Sequence, residues 1–165
     1  VQENGILSLE GIKMKTIYVA GGCFWGVQEY FKRLKGVLAT AAGYANGDTA
    51  NPTYRDLAAH LASHAETVKI DYDEKIISTE KIAEHVLRIV DPYSVDRQGG
   101  DVGHQYRTGI YFADSAEGEK IKKYLEEESD TLLIDGFIDF RLKEFSQFWK
   151  NKVDENINKC FVRSE

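Results

Sequence analysis

A cysteine set among glycines and aromatic residues is the feature of this sequence most suggestive of chemistry. Cys23 lies in the segment 21–26, where three glycines accompany Phe24 and Trp25. Glycines let the backbone turn sharply and let a substrate approach the sulfur, while the aromatic rings could wall an apolar pocket. This pattern favours a nucleophilic thiol that meets a small hydrophobic group. The alternative is a packing role, since lone cysteines are often buried in cores.

The sequence on either side of Cys23 predicts a turn from a strand into a helix. The apolar run 16–20 is typical of a buried strand. After the cysteine, apolar residues recur at i, i+3, i+4 and i+7, the spacing of one helix face. These residues are Val27, Tyr30, Phe31 and Leu34. Cys23 is therefore expected near a helix N-terminus, where unpaired N–H groups and the helix dipole stabilise a thiolate.

Three further side chains could assist a thiolate. Glu66 stands at the entry to a predicted strand over residues 68–72. A carboxylic acid kept protonated by an apolar site can donate to a developing oxyanion. The alternative is a solvated glutamate at a strand end. Tyr44, in a predicted glycine-rich turn over residues 43–48, and Tyr106 carry hydroxyls that polarise an oxygen without changing charge.

The histidines supply a competing metal hypothesis. His60 and His64 are four residues apart and would share one face of a helix, with Cys23 or His104 as a further ligand. The segment lacks a helical apolar period, however, and no glutamate lies between the two histidines. Structural or solvent-facing histidines are the alternative, and the sequence favours it.

Composition points to one folded domain and against several function classes. The chain has 165 residues, 42% of them hydrophobic and 29% charged, which suits a single core and argues against disorder. A net charge of −6 without a basic patch argues against nucleic-acid binding. No apolar stretch approaches the roughly 20 residues that span a bilayer, so a membrane segment is not expected.

The cysteines and the N-terminus bear on cellular location. Two cysteines, Cys23 and Cys160, are too few for a disulfide framework and allow either a redox pair or two unrelated thiols. No signal peptide is visible, so a cytoplasmic location is expected. Because the chain begins at Val1 rather than Met, a removed upstream targeting segment is the open alternative.

The remaining patterns predict an α+β domain. A helix should end near Lys35 before Gly36, and another should run from the N-cap Ser78 to near Val90. Further predicted elements are strands over residues 37–42, 107–112 and 131–138, helices after residue 114 and over 145–152, an irregular excursion over 51–63 and a long polar loop over 91–106. We expect two layers, with helices packed on one face of a mixed sheet. Residues 1–14 would flank a catalytic domain over 15–152, followed by a polar tail over 153–165.

Five motifs, in order and at compatible spacing, resemble one known family. They are Gly22-Cys23-Phe24-Trp25-Gly26, Gly43-Tyr44-Ala45, Asn51-Pro52-Thr53-Tyr54, His64-Ala65-Glu66, and Asp91-Pro92 followed by Arg97-Gln98-Gly99-Gly100-Asp101-Val102-Gly103-His104-Gln105-Tyr106-Arg107. Together they are similar to the A-type peptide methionine sulfoxide reductases over about residues 15–150. The resemblance implies a two-layer α/β plait sandwich, which agrees with the predicted α+β class.

The resemblance also implies a role for most of the residues singled out above. Cys23 would attack the sulfoxide sulfur, with Phe24 and Trp25 holding the terminal methyl group. Glu66 would protonate the sulfoxide oxygen as the S–O bond breaks. The product would be methionine together with a sulfenic acid on Cys23.

Three more residues complete the implied site. Tyr44 and Tyr106 would donate hydroxyl hydrogen bonds to the sulfoxide oxygen, and Asp101 would order a water in the pocket. The family acts on the S epimer, free or in oxidised proteins that it repairs, and needs no metal or organic cofactor. Thioredoxin or a similar dithiol would be the reductant. Cys160 either resolves the sulfenic acid within the chain or is a bystander while an external thiol reduces Cys23.

Two other functions fit parts of the sequence. A thiol peroxidase or redox sensor could use Cys23, and it would not need Phe24 and Trp25 as a methyl pocket. A metal-binding or protein-binding module could use Cys23 with His60 and His64. Metal content and activity on a sulfoxide would separate these readings.

Overall fold

A five-stranded sheet forms the centre of the computed structural model, which describes residues 11–45, 47, 52–91, 94, 96–112, 115–134 and 162–163. Its strands are β1 (Met14–Gly21), β2 (Val37–Ala45), β3 (Ala65–Asp73), β6 (Thr108–Tyr111) and β7 (Val162–Arg163). Their order across the sheet is β6-β1-β3-β2-β7. Two short strands, β4 (Arg97–Gln98) and β5 (Asp101–Val102), pair in a separate hairpin.

The four pairings in the central sheet are antiparallel in the described part of the chain. The two-layer α+β class predicted from the sequence is confirmed, while the expected mixture of strand directions is corrected to an antiparallel sheet. The reason is topological. β1 and β2 run in the same direction but do not touch, because β3 lies between them and runs against both.

The helices cover one face of the sheet. They are α1 (Phe24–Phe31), α2 (Tyr54–Ala58), α3 (Thr79–Ile89) and α4 (Ser115–Ile134). Buried side chains of α1 and α3 pack on the sheet, among them Val27, Phe31, Ile82 and Val86. Each fully buried residue of this kind contributes about 1.5–3 kcal/mol. In the described residues, no helix combines the length and apolar character needed to cross a membrane.

Alternation along β1 separates two clusters of buried side chains. Ile17 and Val19 belong to the main core with the helices. Tyr18 and Ala20 join a smaller cluster with Tyr111. Because successive residues of a strand point to opposite faces, the sheet buries apolar groups on both sides.

Two predicted boundaries around β2 and β3 were wrong in ways that matter for the site. The predicted turn over residues 43–48 does not begin at Gly43, because residues 43–45 continue β2 and pair with residues 67–65 of β3. β3 begins at Ala65 rather than at 68, while buried and half-buried residues alternate within the predicted stretch 68–72. The two errors are linked, because the pairs between residues 43–45 and 67–65 extend both strands and override the local turn propensity of the glycines in β2.

Other sequence predictions fared unevenly. Ser78 caps α3 as predicted, its hydroxyl accepting from Lys81 N at 3.1 Å, and α3 ends at Ile89. The excursion over 51–63 contains α2, and the loop over 91–106 contains the β4–β5 hairpin and a 3₁₀ turn, His104–Tyr106. The strand predicted over 131–138 was wrong for residues 131–134, which end α4, since a short apolar run fits either structure. Residues 135–138 and the helix predicted over 145–152 lie outside the described residues.

The predicted domain limits remain a proposal. The position of β7 in the sheet suggests that the catalytic domain extends beyond residue 152. β1 begins at Met14, close to the proposed start of the catalytic domain. β7 falls within the tail proposed for residues 153–165, and its Val162 and Arg163 pair with Tyr44 and Gly43. We therefore propose that this part of the tail belongs to the catalytic domain as an edge strand.

Gly36 supplies a test of the connection between α1 and β2. α1 ends at Phe31 rather than near Lys35, and the chain turns through Gly36 at φ +100°. A Cβ at this position would lie 2.6 Å from Ile77 Cγ2. Gly36→Ala is therefore expected to lower stability by about 2 kcal/mol, a fall in melting temperature of about 4–8 °C.

Thermal denaturation followed by circular dichroism measures this effect. Gly26→Ala is the matched control, because Gly26 lies within α1 and the added Cβ would meet no atom within 4 Å beyond its chain neighbours and the backbone of its own helix. The control should be unchanged or more stable by about 0.5–1 kcal/mol. An unchanged melting temperature for Gly36→Ala would contradict the account of this turn.

Candidate active site

A cavity of about 340 Å³ opens at the edge of the sheet where β1 meets α1. Its lining residues are Cys23, Phe24, Trp25, Tyr44, Tyr54, Glu66 and Tyr106. Six of the eight site residues predicted from the sequence are among them. The other two, Asp101 and Cys160, are treated separately below.

Cys23 occupies the N-cap position of α1, directly after the end of β1. The turn uses Gly22 at φ +90°, a conformation that favours glycine, and the Cys23 carbonyl accepts from Val27 N at 3.3 Å. The residue is half-buried and its thiol is free. The strand-to-helix turn predicted from the sequence is confirmed, and it aims the first turn of a helix at the cavity.

Glu66 is buried inside β3, opposite Tyr44 of β2, with 3% of its surface exposed. One carboxyl oxygen, Oε1, accepts from Phe24 N at 3.2 Å, and Oε2 accepts from Gln105 Nε2 at 3.3 Å. The alternative of a solvated strand-end glutamate is therefore wrong. The backbone bond ties the carboxyl group to the same helix turn that carries Cys23.

The surroundings of Glu66 favour its protonated form. Burial raises the pKa of the Glu66 carboxyl, and the negative charge of Asp101 adds to the rise. The hydrogen bonds from Phe24 N and Gln105 oppose this shift without cancelling it. A carboxyl group of this kind keeps its proton to a higher pH than an exposed glutamate does, as a proton donor requires.

Two tyrosines that line the cavity stay protonated. Burial raises the pKa of Tyr44, and the nearby Glu66 and Tyr54 add to the shift. The pKa of Tyr106 is raised to about 12, first by burial, then by its hydrogen bond with Tyr54 and by the charge of Glu66. Both hydroxyls are therefore neutral hydrogen-bond donors at physiological pH.

Aromatic rings form the apolar side of the cavity. Phe24 is buried, and its ring centroid lies 5.4 Å from that of Trp25 at an interplanar angle of 78°. The Phe24 ring also lies 5.6 Å from Tyr44. Trp25 is 63% exposed, so it forms an outer rim above a buried floor. Such a wall suits a small apolar group next to the thiol.

Tyr54 and Gln105 were not given a role in the prediction. Tyr54 opens α2, whose N-terminus is fixed by a capping box between Thr53 and Asp56. That box is a local signal that could have drawn attention to Tyr54. Gln105 carried no comparable signal, because its contact with Glu66 joins residues 39 apart in the chain.

Of the two remaining predicted residues, the structure describes Asp101, which does not line the cavity. Asp101 is exposed on β5, and its recorded influence on the site is its charge, which raises the pKa of Glu66. Cys160 lies outside the described residues. The roles predicted for both remain predictions.

The metal hypothesis rested on a helix that does not form. His60 follows α2 in a turn at φ 59°, whereas His64 is buried just before β3. The two histidines therefore do not share a helix face. Among the residues that the structure describes, no group of three His, Cys, Asp or Glu side chains is placed to hold a metal ion.

The arrangement matches a specific kind of chemistry. The cavity brings a thiol at a helix N-terminus together with two sets of groups, an aromatic wall and a proton-holding carboxyl group with two phenol hydroxyls. The free thiol can supply the nucleophile, and the acidic groups stabilise and protonate an oxygen that gains negative charge. A substrate with a small apolar substituent beside a polarised oxygen would satisfy both sides.

Comparisons with known proteins agree with this chemistry. The profile of the peptide methionine sulfoxide reductase family matches residues 15–159. Peptide methionine sulfoxide reductase MsrA of Lachnoclostridium phytofermentans is 54% identical over 113 residues, 68% of each chain. MsrA of Ureaplasma parvum is 40% identical over 154 residues, covering 90% of this chain and 93% of that protein. The solved methionine sulfoxide reductase A of Corynebacterium diphtheriae superposes with a TM-score of 0.69 at 27% identity, covering 87% of this chain and 71% of that one.

Proposed function

The chain belongs to the peptide methionine sulfoxide reductase family, and from that premise we propose how its cavity reduces the S epimer of methionine sulfoxide. The enzyme reduces methionine sulfoxide to methionine in a thiol-dependent reaction. The observation that carries the proposal is the junction of Cys23 with Glu66, whose carboxyl group is bonded to the first N–H of α1. This hydrogen bond holds the acid next to the residue that follows the nucleophile.

Substrate binding begins at the aromatic wall. The terminal methyl group packs between Phe24 and Trp25, and the sulfoxide oxygen points toward Glu66, Tyr44 and Tyr106. A sulfoxide sulfur carries an oxygen, a methyl group and the rest of the side chain. With the oxygen and the methyl group fixed, the two epimers place the rest of the side chain in different directions. Only the epimer whose side chain leads out of the cavity presents its sulfur to Cys23.

The chemical step transfers two electrons from one sulfur to the other. The thiolate of Cys23 attacks the sulfoxide sulfur while Glu66 gives its proton to the oxygen and the two tyrosine hydroxyls stabilise the charge that develops there. An S–S bond forms as the protonated oxygen leaves the substrate sulfur as hydroxide. The hydroxide then attacks the Cys23 sulfur and breaks the S–S bond, which releases the thioether and leaves Cys23 as the sulfenic acid. In sum, the Cys23 thiolate, one sulfoxide and the Glu66 proton give one sulfenic acid and one thioether. Glu66 then takes a proton from solvent, which balances the proton that the Cys23 thiol released when it formed the thiolate.

Recycling needs a second thiol. A thiolate attacks the Cys23 sulfenic acid, forms a disulfide and releases water, and a dithiol such as thioredoxin then reduces the disulfide. Cys160 is the second cysteine of the chain and is proposed as the attacking thiol, with an external thiol as the other route. A reducing compartment such as the cytoplasm supplies the dithiol, and we propose that location on this chemical ground. Free methionine sulfoxide and oxidised proteins are both proposed substrates.

The function is tested by comparing epimers. With excess dithiothreitol, the protein should form methionine from a peptide that contains methionine-S-sulfoxide and leave the R epimer unreduced. Consumption of peroxide with no methionine from either epimer would overturn the proposal in favour of a thiol peroxidase or redox sensor.

Trp25 provides a test of the methyl pocket. Trp25→Ala removes the outer wall against which the methyl group packs, a contact worth about 1–2 kcal/mol. KM for the peptide should therefore rise roughly 5- to 30-fold with kcat less affected, because the acid and the thiol are untouched. Leu61→Ala is the matched control, since Leu61 is also an exposed apolar residue but is not in the cavity lining. An unchanged KM for Trp25→Ala would remove this residue from the pocket.

A further inference from the structure

The side-chain amide of Gln98 makes three hydrogen bonds, all to residues outside the short hairpin in which it lies. It is the last residue of β4 and is half-buried. Its Oε1 accepts from Asp91 N at 3.0 Å, while its Nε2 donates to Asp91 O at 2.9 Å and to Thr108 Oγ1 at 2.8 Å. Both amide protons and the amide oxygen are thus used, and they link residues 7 and 10 positions away.

The partners of Gln98 surround the turn that leads into Cys23. Thr108 pairs with Gly21 in the ladder between β1 and β6. Asp91 follows Val90, whose Cγ1 lies so close to Gly21 that an added Cβ would stand 2.8 Å from it. The two residues that Gln98 holds therefore flank the end of β1.

The aliphatic part of Gln98 touches the same turn directly. A Cβ at Gly22 would lie 2.8 Å from Gln98 Cβ and 3.2 Å from its Cγ. Gly22 is therefore in close contact with this side chain at the residue immediately before Cys23. Any shift of Gln98 away from its amide partners would change the support beneath the nucleophile.

We propose that Gln98 is a positioning residue for the reduction step, setting the direction of the Cys23 sulfur through Gly22. The inference rests on the proposed role of Cys23 as nucleophile. Gln98 does not line the cavity, so it acts through the backbone turn and not through contact with substrate. The hairpin has other bonds of its own, including the strand pairing of β4 with β5 and the bond from Gly103 N to Asp96 O. Loss of the amide should loosen the support of Gly22 without dissolving the hairpin.

The test replaces the amide and keeps the length of the side chain. Gln98→Met retains an unbranched stem over Gly22 but makes none of the three hydrogen bonds. The maximal single-turnover rate of methionine formation should fall about 10- to 100-fold, since a displacement of about 1 Å at the reacting atom can cost that much. Half-saturation by the peptide should stay within about twofold, because the residues that contact substrate are unchanged.

Gln28→Met is the matched control. Gln28 also donates its amide to a threonine hydroxyl, that of Thr40 at 3.3 Å, but it lies on α1 away from the cavity lining. Its single-turnover rate should equal that of the wild type. If the wild type is active and Gln98→Met is equally active, the inference is overturned and the proposed function stands. If Cys23 is not the nucleophile for this substrate, the wild type and both variants will all be inactive.

The alkylation rate of Cys23 by iodoacetamide separates positioning from a general loss of thiol reactivity. A freely diffusing reagent does not need the sulfur aimed at a bound substrate, so Gln98→Met should alkylate at the wild-type rate. A parallel fall of alkylation and reduction would contradict a positioning role. Should Gln98→Met fail to fold, Gln98→Glu is measured in the same way. This variant places an oxygen against Asp91 O, and a wild-type rate for it would overturn the inference.

Discussion

Cys23→Ser is expected to abolish methionine formation, lowering the rate at least about 10⁴-fold. The serine hydroxyl is a poor nucleophile at neutral pH, and its oxygen cannot undergo the two-electron oxidation that turns a thiol into a sulfenic acid. The fold should persist, since the substitution is nearly isosteric and the residue is half-buried at an N-cap position that serine suits. Methionine released from a sulfoxide peptide, quantified by chromatography, measures the effect.

Cys160→Ser serves as the control for the loss of a thiol as such. It should still complete a first turnover, whether Cys160 resolves the sulfenic acid or is a bystander. Substantial multiple-turnover activity in Cys23→Ser would contradict the assignment of the nucleophile.

Glu66→Gln is expected to slow the reduction step by about 10²- to 10⁴-fold while leaving substrate binding intact. Glutamine keeps the shape of the side chain and can still accept from Phe24 N, but it has no acidic proton to give.

The pH dependence of the reduction rate tests the same role. Because the pKa of Glu66 is raised, the wild-type rate should fall as pH rises through that pKa and the acid loses its proton. The variant should lack this fall. Glu84→Gln, which removes a carboxylate on the exposed side of α3, should behave as the wild type.

The same pKa shift makes a statement about stability. A carboxyl whose pKa is raised on folding contributes stability that is fully present below its unfolded pKa and lost as pH rises through the folded pKa. At pH 7 to 8 the carboxyl group of Glu66 therefore destabilises the folded wild type relative to low pH, whereas the amide of Glu66→Gln does not titrate. The variant should melt at the same temperature as the wild type or higher under those conditions. A large fall in melting temperature together with lost activity would indicate a structural role for Glu66 instead of an acid.

The site divides into parts that were predictable locally and parts that were not. The turn at Cys23 followed from glycines between an apolar strand and a helical period, all within about 20 residues. The contact between Glu66 and Tyr44 depends on the register of β2 against β3, which local patterns do not determine, and the glycines in residues 43–47 pointed to a turn instead. Side-chain chemistry made both residues candidates, and the resemblance to a family supplied their roles.

The residues that escaped prediction share a physical reason. Gln98 and Gln105 act through side-chain amides that reach across the sequence to Thr108 and Glu66. Neither residue type marks a site by itself, and no spacing rule connects them to Cys23. Their placement depends on the hairpin and the 3₁₀ turn that follows it, which the sequence suggested only as a long polar loop.

A single turnover of the fully reduced protein, without added reductant, tests the central claim most directly. Cys160→Ser protein is mixed with excess methionine-S-sulfoxide peptide and dimedone, and both methionine and the dimedone adduct are quantified by mass spectrometry. The account predicts one methionine for each chain, with the adduct on Cys23 in equal amount, and at a rate that Glu66→Gln slows about 10²-fold or more. Methionine formed without modification of Cys23, or no methionine from a folded protein with a free Cys23, would contradict it.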